Sequence, residues 1–126
     1  MAYRTPLAKV RGLGSAKEGA EHFWRQRVTA VANIVLVSFL IYLMVKLAGA
    51  DYATVKHALA KPYNAIPLLL LVLSGVVHMR LGMQAIIEDY VHSEGRKVAA
   101  LMLNSFFAIF VGLTAAFAVL KLSFGA

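Results

Sequence analysis

Three long stretches of the chain run almost without polar interruption, over residues 28–47, 66–87 and 98–122. Crossing the hydrocarbon layer of a bilayer takes about 20 mostly apolar residues in helical form, and all three stretches reach that length. They predict an all-α membrane protein with three transmembrane helices. Between the spans the pattern breaks. The first connection carries Lys56, Lys61, Pro62 and Pro67, and Pro67 fits the opening turn of the second helix, where a missing N–H leaves no partner unsatisfied. The second connection is short, about 88–97, with Gly95 available for a turn. No internal repeat or low-complexity tract divides the chain, so 1–126 reads as a single domain with a polar N-terminal segment, 1–27, ahead of the first span.

Polar residues inside such a pattern are conspicuous, and His78 lies within the second apolar stretch. An ionisable side chain in hydrocarbon is costly enough that it normally faces a bundle interior and serves ion, proton, ligand or cofactor chemistry. At about 100° per residue, Asp89 returns to the same helical stripe roughly 16 Å further on. Gly75 and Gly82 lie on that side too, so they remove side chains next to the imidazole. Arg80 points to about the opposite face, and Arg80, Gln84 and Glu88 follow at spacings of four, a path by which a cation can snorkel to the surface. At this level His78 stands equally as a ligand or proton-relay residue and as a histidine hydrogen-bonded to another helix. Asp89-Tyr90 likewise reads as an interfacial anchor or as part of a site.

Composition agrees with the pattern: 60% of the residues are hydrophobic and 15% charged, with a mean hydropathy of +0.72. There is no cysteine, which excludes disulfides and iron–sulfur ligation by this chain. The net charge of +7 does not signal nucleic acid, because the basic residues flank spans and form no dense stripe with interleaved aromatics. They bias topology instead. Arg4, Lys9, Arg11, Lys17, Arg25, Arg27, Arg96 and Lys97 lie on one side of the spans, against Lys46, Lys56, Lys61 and Lys121 on the other. The bias predicts a cytoplasmic N-terminus and an external C-terminus. The first 27 residues contain no apolar core of a cleavable signal, and a bacterial inner membrane is a simpler reading than a mitochondrial one.

The stretch His78-Met-Arg-Leu-Gly82-Met-Gln-Ala-Ile-Ile-Glu-Asp89-Tyr90-Val resembles the H-x3-G-x6-D-Y signature of the D-type hydrophobic membrane-anchor subunit of succinate dehydrogenase. The segment Gly19-Ala-Glu-His22-Phe-Trp24-Arg25-Gln-Arg27-Val-Thr29-Ala resembles the lead of that family into its first helix. The resemblance implies a subunit of succinate:ubiquinone oxidoreductase, respiratory complex II, whose helices bundle with those of a companion anchor subunit. It implies that His78 is an axial ligand of a b-type haem and its iron, and that Tyr90, helped by Asp89, lies at the ubiquinone site. Flavoprotein and iron–sulfur subunits would dock on the same side, and this chain would carry no succinate-oxidising site.

The other three histidines lie outside the spans: His22 and His92 flank them on the predicted cytoplasmic side, and His57 is in the first connection. A six-coordinate haem with two histidines therefore needs a second ligand from another chain, or from a flank. His22 and Arg27 are candidate contacts for haem propionates or a docked partner, with Arg27 nearest the span. Trp24 reads as an interfacial belt residue and His92 as a surface residue, while Arg80 is outside anything the resemblance leads one to expect. Two other classes compete: a small proton-coupled transporter using a His78–Asp89 relay, and a scaffold protein without a redox cofactor.

Overall fold

A computed structural model describes residues 5–12 and 18–125. Arg4 and Lys17, counted above for topology, lie outside the described residues, as does the side chain of Lys9. The described residues form five helices and no strand: α1 (Pro6–Val10), α2 (Glu18–Lys46), α3 (Tyr52–Ala60), α4 (Pro62–Tyr90) and α5 (Glu94–Ser123). Three of them, α2, α4 and α5, are long and apolar enough to cross a membrane, matching the three expected spans. Each is longer than its apolar stretch, because a backbone leaving hydrocarbon keeps its hydrogen bonds most simply by staying helical. The second long helix accordingly begins at Pro62, not near Pro67. Pro62 occupies the first turn and Pro67 lies inside the helix, where it removes one bond from the ladder.

Helix α3 was not expected within the first connection. Asp51 caps it, its carboxylate accepting the Thr54 amide at 3.1 Å. At the other end the buried Asn64 donates its Nδ2–H to the Ala58 carbonyl at 2.8 Å. Val55 and Leu59 turn inward to line an apolar hollow with Leu40, Leu43, Leu47 and Leu68. Beside them, Lys56 reaches the Gly125 carbonyl at 3.4 Å.

Helix α4 is the centre of the arrangement. It packs against α2 on one side and α5 on the other, and α2 and α5 do not pack on each other. The core is correspondingly thin: Leu43, Ala65, Leu81, Ile87 and Ala108 are the buried apolar residues among those described. Large side chains such as Ile34, Phe106, Phe110 and Phe117 face outward, which hydrocarbon tolerates because lipid tails are as apolar as the side chains. The α4–α5 seam uses a ridge of spacing four, Asn104, Ala108 and Gly112. Ala108 is 1% exposed, and a Cβ at Gly112 would lie 3.3 Å from Val76 Cγ2. Asn104 adds a polar tie, its Nδ2–H donating to the Arg80 carbonyl at 3.0 Å. Small residues and interhelical hydrogen bonds are the usual means of helix association in lipid.

Candidate functional site

The α2–α4 seam is polar at one end. On α2, His22, Gln26, Thr29 and Asn33 recur at spacings of four, three and four, which places them on one helical face. On α4, Ser74, His78 and Gly82 recur at four. The two faces meet. Thr29 Oγ1 lies 3.2 Å from His78 Nδ1, and Ser74 Oγ donates to the Thr29 carbonyl at 3.3 Å. The Thr29 hydroxyl itself donates to the Arg25 carbonyl at 2.8 Å, with the Gln26 carbonyl at 3.1 Å. Among the described residues His78 Nε2 has no hydrogen-bond partner, and it is not sealed from its surroundings as His22 Nε2 is.

This pairing fixes the depth of His78. Thr29 is the second residue of the first apolar stretch, so the imidazole lies close inside the polar boundary, although its own stretch continues to residue 87. The two glycines near it differ. Gly75 has open space where a Cβ would point, whereas Gly82 faces Gln26 Nε2 at 3.4 Å and serves close packing against α2.

Where the seam opens, a crevice of about 210 Å³ is lined by Glu21, His22, Arg25, Arg80, Leu81 and Gln84. Arg25 is ion-paired with Glu21, and Gln84 donates to Glu88 at 2.8 Å. His22 Nε2, Gln26 Oε1 and Asn33 Oδ1 are buried acceptor-capable atoms without a partner, all on the face of α2 that carries Thr29. Arg27 stands elsewhere: exposed, with its guanidinium 4.9 Å from the Phe23 ring centroid. The structure thus brings His22 together with Arg25 and Arg80, and does not bring it to Arg27. Two residues along a helix is about 200° of rotation, which separates the two arginines. Trp24 is exposed at the outer surface.

Twelve residues beyond His78, about 18 Å along α4, Tyr90 ends the helix. A hollow of about 340 Å³ is lined by Tyr90, Val91, His92, Arg96 and Ala100. The phenol is largely exposed, at 77%, and the His92 ring approaches the Tyr90 carbonyl at 3.1 Å through Nδ1. Asp89 is exposed and does not line this hollow. Arg96 and His92 were not expected to share a site with Tyr90; the short connection from α4 to α5 was the signal, since it returns residue 96 to the helix end. Thr29 was also missed as the partner of His78, although the polar repeat at 22, 26, 29 and 33 announces the face that carries it. Among the described residues no three His, Asp or Glu side chains converge as a metal cage.

Residues 1–114 match the family of succinate dehydrogenase/fumarate reductase transmembrane subunits. The chain is 36% identical over 89 residues to the succinate dehydrogenase hydrophobic membrane anchor subunit of Rickettsia bellii, covering 71% of each chain. It is 32% identical over 126 residues to the protein of that name from Paracoccus denitrificans, covering 100% of this chain and 97% of the relative. The succinate dehydrogenase membrane anchor subunit of Reclinomonas americana is 29% identical over 96 residues, covering 74% of this chain and 80% of the relative. No solved structure matches the chain significantly. With three long apolar helices and a match across most of its length, this multi-pass membrane chain belongs to the family of succinate dehydrogenase membrane anchor subunits.

Proposed function

We propose that the chain anchors a succinate:ubiquinone oxidoreductase in a bacterial inner membrane, with its N-terminus cytoplasmic, and that it shares a haem b with a companion anchor subunit. The observation that carries this reading is His78, held through Nδ1 by Thr29 with Nε2 unbonded. That is the arrangement a ligating imidazole needs: one nitrogen oriented by a hydrogen bond, the other offering its lone pair. Open space at Gly75 fits the approach of a flat macrocycle beside the ring. A haem held there supplies a reversible one-electron couple. The second histidine comes from the companion chain, because the other histidines of this chain lie outside its spans. The open row of helices, with apolar faces outward and no α2–α5 contact, supports such a companion. His22, Arg25 and Arg80 at the crevice are placed to meet propionates or an acidic partner surface, and Arg27 is free to meet the partner or lipid phosphates.

At the Tyr90 hollow the phenol donates a hydrogen bond to a carbonyl of ubiquinone. Reduction of a quinone to a quinol takes up two protons. Asp89, exposed one residue earlier, organises the site or the route by which those protons arrive from the aqueous side. Iron–sulfur and flavoprotein subunits dock on this same face, next to Tyr90 and the basic residues around it, and oxidise succinate there.

The experiment is to purify the complex with His78→Ala and record its reduced-minus-oxidised spectrum. Loss or gross alteration of the b-type band, with all partner subunits still present, is the expected outcome. An unchanged haem spectrum sinks the ligand assignment.

A further inference from the structure

We propose that Thr29 is a positioning residue for the haem ligand: its hydroxyl oxygen accepts a hydrogen bond from His78 Nδ1–H and so sets which imidazole nitrogen faces the iron and how strongly it donates. The inference rests on the haem reading of His78 given above.

The direction of the hydrogen bond follows from counting protons. A threonine hydroxyl has one proton and two lone pairs. Its short contact to the Arg25 carbonyl, 2.8 Å, is the ordinary i−4 back-bond of a helical threonine and uses that proton. Only a lone pair is left to face His78 Nδ1 at 3.2 Å, so Nδ1 is the donor. The neutral ring then carries its proton on Nδ1 and its lone pair on Nε2. Of the other polar side chains of the seam, Ser74 Oγ is spent on the Thr29 carbonyl and Gln26 Nε2 faces Gly82, while His22 Nε2, Gln26 Oε1 and Asn33 Oδ1 meet no partner among the described residues. Ser74 in turn ties α4 to the backbone that carries the hydroxyl, so the acceptor is held on two sides.

A hydrogen bond from the distal nitrogen makes a ligating imidazole a stronger donor. A stronger donor stabilises ferric over ferrous iron and lowers the haem potential. Removing the acceptor therefore shifts the potential upward and changes the ligand field. Activity alone would not separate this from a packing defect, so the test reads the haem directly.

The complex is purified with Thr29→Val, Thr29→Ala and Thr29→Ser, and with His78→Ala as a control. Haem content is measured, the haem is titrated potentiometrically, and its low-spin ferric electron paramagnetic resonance signal is recorded. Alanine and serine differ only in the hydroxyl. The expected result is an upward potential shift and altered g-values in Thr29→Ala and Thr29→Val, with Thr29→Ser close to the parent. If alanine and serine variants are the same in potential and signal, the proposal is overturned; that pair decides even where Thr29→Val fails to assemble. If the hydroxyl-free variants lose haem and Thr29→Ser keeps it, the positioning role is supported in its strongest form. His78→Ala separates the two readings. Haem loss there with no alanine–serine difference overturns only the role of Thr29, whereas unchanged haem overturns the ligand assignment itself.

Discussion

Gly112 sits where α5 comes closest to α4, and its replacement has a sign that can be worked out. A Cβ built there stands 3.3 and 3.4 Å from the two γ-carbons of Val76, closer than the optimum of about 3.5–4.0 Å for carbon pairs, and 3.8 Å from its Cβ. Val76 cannot swing aside, because a β-branched residue in a helix has one strongly preferred rotamer. For Gly112→Ala the helices must part by a few tenths of an ångström. The gain in helix propensity, about 1 kcal/mol in a helix interior, offsets this, so the variant should stay within about 1 kcal/mol of the parent. Gly112→Val is different. Its γ-carbons are fixed in the seam, and overpacking of this kind costs about 1–3 kcal/mol. Parting the helices further also stretches the Asn104–Arg80 bond, now 3.0 Å, two turns along the same ridge. That bond is worth about 0.6 kcal/mol in lipid, so the two losses add. The check is sodium dodecyl sulfate titration of the purified complex, scoring release of this subunit. A valine variant as resistant as the alanine variant would mean the seam has slack and the packing argument is wrong.

Asn104→Ala removes the same hydrogen bond without adding bulk to the seam and should lower resistance in that titration by about 0.6 kcal/mol and no more than about 1.7. Tyr90→Phe should reduce the specificity constant for quinone by about 2- to 10-fold, the loss of one hydrogen bond of about 0.5–1.5 kcal/mol. Succinate oxidation with a soluble dye should be unaffected, and equal loss in both assays would indicate defective assembly. Asp51 is held below its ordinary value of 3.8 by hydrogen bonds from the Thr54 side chain and amide. A carboxylate with a lowered folded-state value contributes stability that is complete above the ordinary value and is lost as pH falls through the lower one. The protection factor of the Thr54 amide, its exchange relative to the intrinsic rate at each pH, should therefore be high at neutral pH and fall below about pH 4. In Asp51→Ala it should be low throughout, and in Asp51→Asn, which still caps, high and insensitive to acid.

The three spans were legible because membrane partition depends on apolar character summed over about 20 consecutive residues, a quantity each segment possesses alone. The prominence of His78 follows from the same sum, as does the common face of Gly75, Gly82 and Asp89, which is helical arithmetic. Helix ends were less legible. Pro67 looked like an opening-turn proline, yet the helix starts at Pro62, since α3 and α4 are separated by only Lys61 and the chain has no length to spare for an unpaired stretch. The nine residues of α3 were too short and mixed to stand out, and its formation depends on the Asp51 cap and on the ends of α4 and α5 that it covers.

What only the tertiary structure decided is who meets whom. His78 finds Thr29, His22 meets Arg80 of the neighbouring helix, and Arg96 joins Tyr90. Each pairing depends on the axial offset and rotation of one helix against another. A shift of one residue along α2 turns its face by about 100° and would carry the hydroxyl away from the imidazole. That register is set by the small residues and polar ties where helices touch, such as Gly82 against Gln26 and Ser74 against the Thr29 carbonyl. Such contacts join distant parts of the chain. The sequence alone determined that three helices enter the membrane carrying one imidazole, because hydropathy is local and additive; packing, which is neither, determined that the imidazole is held by one nitrogen with the other left free.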